Sequence, residues 1–242
     1  MGSYDEARQR IIVALDVPDK TAALSAIEEL HQHVGAFKIG LQLFTSEGPD
    51  FVREVVERGN RVFLDVKYHD IPNTVASAAV EAASLGVWMV NVHASGGSEM
   101  MTAASVAVGE FCERKSVTAP KLIGVTVLTS SNERTLLETG ITQDINERVL
   151  QLAQLTAKCG LDGVVASPRE TVKIRQAFGE SDFLIVTPGI RPDDATTHDQ
   201  KRVMTPADAM KSGSDYLVIG RPIMKAPDRA AAAHEIVSQL IG

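Results

Sequence analysis

Two carboxylic acids and an amine lie close together in the run Phe63-Leu64-Asp65-Val66-Lys67-Tyr68-His69-Asp70-Ile71-Pro72-Asn73-Thr74. The run opens as a strand, with Val62, Leu64 and Val66 on one face and Phe63, Asp65 and Lys67 on the other. In a parallel sheet both faces are buried, so Asp65 and Lys67 would enter a low-dielectric interior. Each charge there costs several kcal/mol unless it is paired. Asp70 adds a second carboxylate just past the strand end, and Pro72 is expected to stop the strand before a helix headed by Asn73 or Thr74. Carboxylate, ammonium and carboxylate at i, i+2 and i+5 suit proton transfer and the stabilisation of developing charge. The competing reading is a structural ion pair at a sheet edge.

The elements that must position these groups alternate along the whole chain. Candidate strands are Ile11–Asp16, Ala36–Ile39, Arg61–Lys67, Trp88–His93, Lys121–Val127, Gly163–Ala166, Phe183–Thr187 and Tyr216–Ile219. Helical periodicity covers Lys20–His33, Gly48–Arg58, Asn73–Leu85, Ser98–Arg114, Asn146–Lys158, Arg169–Phe178, Pro206–Ser212 and Asp228–Ile241. This α/β rhythm of eight units predicts a (β/α)8 TIM barrel, one domain over residues 1–242 with residues 1–9 as a lead-in. An open doubly wound sheet is the alternative, but it usually has fewer strands and a Gly-rich first turn, which does not follow Asp16.

In a barrel the C-terminal strand ends carry the site, and polar residues gather there. Asp16 ends the first strand, Lys38 sits mid-strand in the second, and Asn91-Val92-His93 ends the fourth. Lys38 needs a carboxylate, and Asp65 is one strand away. Asp16 is also readable as a simple turn cap. The fifth strand runs into Leu128-Thr129-Ser130, the seventh into Thr187-Pro188-Gly189-Ile190-Arg191 and the eighth into Gly220-Arg221-Pro222. Loops after strands seven and eight often bind phosphate, and the arginine fork matches it. Arg191–Met204, which contains Gln200, is long and polar and reads as a lid or binding loop. His93 is expected to be a hydrogen-bonded structural histidine. No Cys/His spacing implies a transition metal. A Mg²⁺ site from Asp16, Asp65 and Asp70 is conceivable, but Lys38 and Lys67 would compete with the cation.

Composition narrows the partners. Of 242 residues 44% are hydrophobic and 23% charged, which fits a soluble globular domain. The net charge of -7 argues against a general nucleic-acid binder. The two cysteines, Cys112 and Cys159, are far apart, and a reducing cytoplasm is the expected location. The N-terminal segment reaches Ile11–Leu15 and is charged again at Asp16, too soon for a signal peptide or a membrane span. Met1-Gly2-Ser3 reads as an artificial leader.

The motif Asp65-x-Lys67-x-x-Asp70-Ile71-Pro72-Asn73-Thr74 resembles the signature of the orotidine 5'-phosphate decarboxylase family, in its bacterial branch. Leu15-Asp16, Phe37-Lys38, Val92-His93-Ala94, Val125–Ser130, Thr187–Arg191, Asp199–Pro206 and Gly220–Pro222 follow in family order. The resemblance implies decarboxylation of orotidine 5'-monophosphate (OMP) to uridine 5'-monophosphate (UMP) without cofactor or metal, the last step of de novo UMP synthesis. It implies that Asp65 faces the substrate carboxylate, that Lys67 protonates C6, and that Lys38 and Asp70 hold Lys67. Asp16 would bind a ribose hydroxyl, Thr129 the base edge, and Gln200 both phosphate and pyrimidine. Pro188, Arg191, Gly220 and Arg221 would complete the substrate site. Asp70, Ile71 and Thr74 would come from a neighbouring subunit, making a homodimer with shared active sites. The alternatives are Mg²⁺-dependent sugar-phosphate decarboxylases or hexulose-phosphate synthases, which share the Asp-x-Lys-x-x-Asp motif, and a non-catalytic nucleotide-binding barrel.

Overall fold

A computed structural model describes residues 3–179, 181–191 and 204–241. Eight parallel strands follow one another around a closed barrel: β1 (Ile11–Ala14), β2 (Ala36–Gly40), β3 (Val62–Tyr68), β4 (Met89–His93), β5 (Lys121–Val125), β6 (Gly163–Val165), β7 (Leu184–Pro188) and β8 (Tyr216–Ile219). Each pairs with the next, and β8 closes on β1 with Val218 opposite Ile12. The predicted (β/α)8 barrel is therefore the observed fold.

Strand parity sorts the apolar residues into two layers. Ile12, Ala14, Ala36, Phe63, Met89, Ile123, Val186 and Val218 fill the barrel. Ile11, Val13, Phe37, Ile39, Val62, Leu64, Val90 and Val92 belong to the other cluster, between the strands and the helices. At the N-terminal end of the barrel the Arg61 guanidinium lies 3.8 Å over the Trp88 ring, and Trp88 meets Tyr216 edge-on at 5.0 Å. Asp215 accepts hydrogen bonds there from Arg175 Nη2 at 2.6 Å and from the Ile185 N–H at 2.7 Å. These polar groups satisfy one another.

The helices among the described residues are α1 (Tyr4–Arg8), α2 (Lys20–Leu30), α3 (Leu41–Glu57), α4 (Pro72–Ser84), α5 (Gly97–Lys115), α6 (Glu133–Glu138), α7 (Ile145–Lys158), α8 (Thr171–Phe178), α9 (Pro206–Lys211), α10 (Arg221–Met224) and α11 (Arg229–Ser238). Side chains of Asp19, Asn132, Asp144, Thr205 and Asp228 accept backbone N–H groups at helix starts. None of the helices is long and apolar enough to cross a membrane.

Several expected boundaries change. The first strand stops at Ala14, leaving Asp16 in a loop, and the fifth stops at Val125. Helix α4 is headed neither by Asn73 nor by Thr74: Pro72 is its first residue, because its fixed φ suits the first turn and its missing N–H costs nothing there. Helix α3 begins at Leu41, well before Gly48, where the chain breaks helical geometry at φ 71° ahead of Pro49. The lead-in holds α1, started by a capping box in which Ser3 Oγ accepts the Glu6 N–H and the Glu6 carboxylate accepts the Ser3 N–H.

Candidate active site

Lys38 and Asp65 share the inward parity of Ala36 and Phe63, so they stand in the barrel mouth above its apolar filling. Asp65 is the hub. Its Oδ1 accepts hydrogen bonds from Lys67 Nζ at 2.6 Å and from Asn91 Nδ2 at 2.7 Å. Its Oδ2 lies 3.4 Å from Lys38 Nζ, which is also 3.6 Å from Asp16 Oδ1. Burial pushes the Asp65 carboxyl up, but the Lys38 and Lys67 charges and the hydrogen bonds from Lys67 and Asn91 outweigh it and leave the group below its usual range.

The simple alternation expected for β3 holds through Asp65 and then fails. Leu64 pairs with Val90 but Tyr68 pairs with Val92, so β3 advances four residues while β4 advances two. The irregularity falls on Lys67, whose φ is 53°. Lys67 therefore reaches Asp65 from a bulge, not as the next residue on a flat strand face.

His93 ends β4 half-buried. Burial holds its imidazole below the usual value, helped by the charges of His69 and Lys67 and opposed by Asp65. Its contact is ring to ring with His69, centroids 5.5 Å apart. Among the described residues no hydrogen bond reaches the His93 ring, which corrects the expectation of a hydrogen-bonded histidine.

A cavity of about 1940 Å³ opens at the same end of the barrel. Asp16, Lys38, Thr129, Pro188, Arg191, Gly220 and Arg221 all line it. Lys38 belongs to both the cavity and the Asp65 cluster. Gly220 allows a close approach, since a Cβ there would lie 3.3 Å from Asp16 Oδ2. Arg221 opens the short helix α10. Ile190 and Met204 form a parallel bridge, and the Arg191 N–H donates to the Met204 carbonyl at 3.3 Å. The two ends of the segment expected to act as a lid are thereby tied together. Gln200 lies outside the described residues.

Asp70, Ile71 and Thr74 are exposed at the start of α4 and are not among the residues lining this cavity. Asp70 Oδ1 accepts the Ile71 N–H at 2.6 Å. Among the described residues no three Asp, Glu, His or Cys side chains gather as a metal site. Asn91, noted in the sequence only as part of the polar end of the fourth strand, proves to be a member of the Asp65 cluster. Its signal was a polar residue between Val90 and Val92 at the parity of Met89.

Residues 9–236 match the family model described as "Orotidine 5'-phosphate decarboxylase / HUMPS family". The chain belongs to that family. A protein named orotidine 5'-phosphate decarboxylase from Syntrophotalea carbinolica is 53% identical over 235 residues, covering 97% of this chain and 96% of its own length. One of the same name from Geotalea daltonii is 54% identical over 237 residues, 98% of each chain. The solved structure of orotidine 5'-phosphate decarboxylase from Lactobacillus acidophilus superposes with a TM-score of 0.85 at 37% identity, covering 96% of this chain and 99% of that one.

The Asp65 environment predicts a pH dependence. A carboxyl that titrates lower in the folded than in the unfolded chain contributes stability that is fully present above its unfolded value, about 3.9, and is lost as pH falls through the folded value. Urea midpoints measured at a series of pH values should therefore fall less steeply below about pH 4 for Asp65→Asn than for the unmodified chain. Equal slopes would contradict the pairing.

Proposed function

We infer that the chain decarboxylates OMP to UMP and CO₂, the last step of de novo UMP synthesis. The observation that carries this reading is the Lys38–Asp65–Lys67 array beside a cavity roomy enough for a nucleotide. More than half identity to decarboxylases over nearly the full chain supports the substrate.

The chemistry follows from the charges. Asp65 faces the substrate carboxylate, and their like-charge contact is relieved as the bond from C6 to that carboxylate breaks and CO₂ leaves. The electron pair stays on C6, where the Lys67 ammonium stabilises it and then delivers a proton from Nζ. Lys38 neutralises the other Asp65 oxygen and reaches Asp16, which holds a ribose hydroxyl. Thr129 reads the base edge, Pro188, Arg191, Gly220 and Arg221 surround the phosphate, and Gln200 reaches both. Every group in this scheme belongs to the protein, and no cofactor or metal enters it.

Asp70, Ile71 and Thr74 serve the site of a second copy in a homodimer. Ile71 supports this, because this large apolar residue is 66% exposed beside an acid with no cation partner among the described residues. The net charge of -7 fits a small-molecule substrate in preference to nucleic acid. The free, buried Cys112 and Cys159 fit a cytoplasmic location, and no membrane partner is part of the reading.

Loss of OMP absorbance should proceed undiminished in the presence of EDTA. Lys67→Ala should lose nearly all of this turnover while still binding UMP. Wild-type-like turnover in that variant would remove Lys67 as proton donor, whereas EDTA sensitivity with activity on a sugar phosphate would favour the Mg²⁺-dependent relatives.

Subunit mixing tests the shared site. Lys67→Ala and Asp70→Ala chains, inactive alone, should on random exchange regain roughly a quarter of wild-type activity: half the dimers are mixed, and each mixed dimer holds one intact site of two. No recovery would place both residues in one chain's site.

A further inference from the structure

The bulge in β3 places Lys67 in the left-handed region, at φ 53°, which a residue with a side chain seldom adopts. Such a conformation persists only where its surroundings hold it. One side chain does so here. Asn91, on the neighbouring strand β4, is fully buried at 0% exposure, and its Oδ1 accepts the Lys67 backbone N–H at 2.8 Å. Its Nδ2 donates to Asp65 Oδ1 at 2.7 Å, the oxygen that Lys67 Nζ also reaches at 2.6 Å. The direction of the amide follows from chemistry. A backbone N–H only donates, so the atom facing it is the carbonyl oxygen, and the NH₂ must then face the carboxylate.

We propose that Asn91 is a positioning residue for the decarboxylation, fixing the left-handed turn that aims Lys67 and the plane of the Asp65 carboxylate with one amide. The proposal rests on the reaction inferred above. An acceptor and a donor side by side are needed, because the groups to be held are a backbone N–H and a carboxylate. With Asn91 and Lys67 on one oxygen and Lys38 near the other, the carboxylate is held from three sides. Asn91 holds its two neighbours in the places from which they act on the substrate.

Two variants separate this role from simple core filling. Asn91→Ala removes both bonds. Asn91→Asp keeps the shape and the acceptor but, when ionised, cannot donate and repels Asp65. When protonated, its carboxyl again offers one donor and one acceptor. Asn91 touches Asp65 and Lys67 from β3; beyond Asp65 lie Lys38 of β2 and then Asp16 after β1, while the ionisable His93 ends its own strand, in contact with His69. From β5, the residue opposite Asn91 is the uncharged Ile123. Proximity to Asp65 favours the protonated form as pH falls.

The experiment measures kcat on OMP, affinity for UMP and the thermal unfolding midpoint for both variants, with kcat followed from about pH 8 to about pH 5, the range in which a carboxyl beside another carboxylate titrates. Asn91→Ala should lose on the order of 100-fold in kcat, the scale of a small misplacement of reacting groups, with UMP affinity little changed. For Asn91→Asp, kcat relative to the unmodified chain should climb as pH falls. A ratio that does not vary with pH would overturn the proposal. So would a loss of kcat matched by equal losses of UMP affinity and thermal stability. If Asn91→Ala fails to fold, the pH course of Asn91→Asp decides alone. Absence of OMP turnover in the unmodified chain is a separate result that would overturn the decarboxylase reading and this inference together.

Discussion

Everything at the open end of the barrel depends on keeping one carboxylate charged between two amines in a nearly closed space. Asp65 is 13% exposed at its side chain, Lys38 12% and Lys67 26%. Burial alone would push the acid's pKa upward, yet the two ammonium groups and two hydrogen bonds reverse that tendency. Buried charges of this kind are poor contributors to stability, and apolar residues of similar volume often do better. Their presence therefore makes sense as chemistry. The array is assembled with its charges already in place, so the reaction inferred for it would need little reorganisation.

The barrel divides the labour along its axis. At the N-terminal end Arg61 lies over Trp88, Trp88 meets Tyr216 edge-on, and Asp215 ties Arg175 to β7, so polar groups there satisfy one another. In the middle Phe63, Met89 and Ile123 fill the interior. At the C-terminal end β2, β3 and β4 carry Lys38, Asp65 and Asn91 on the inward parity. Inward-facing residues thus change from apolar to ionic within two residues along β3, from Phe63 to Asp65. That division is typical of barrels, in which one rim serves chemistry and the other stability.

Much of this was legible in the sequence because strands of a parallel barrel read as short apolar runs, in which a lysine or aspartate stands out. Lys38, Asp65 and Lys67 were found that way, and Asn91 carried the same signal in neutral form. The left-handed turn at Lys67 was not legible, since a bulge leaves residue types unchanged and alters only the register between neighbours. Helices α1, α6 and α10 span at most six residues, too few turns for an apolar period to emerge. The α3 break shows the opposite case: Gly48-Pro49 signalled a boundary, and the chain was helical on both sides of it. Asp70 stands out by its spacing from Asp65 and Lys67, whereas Ile71 and Thr74 carry no such signal and enter by family resemblance; none of the three lines this chain's cavity.

The central claim is that Lys38, Asp65 and Lys67 form one interdependent charge set. A double-mutant cycle on urea unfolding, using Lys38→Met, Asp65→Asn and the pair together, tests it most directly. Leaving either charge without its partner should destabilise more than removing both, giving a coupling on the order of 1–3 kcal/mol. Losses that add to within about 0.5 kcal/mol would show the two residues to be independent and would contradict the account.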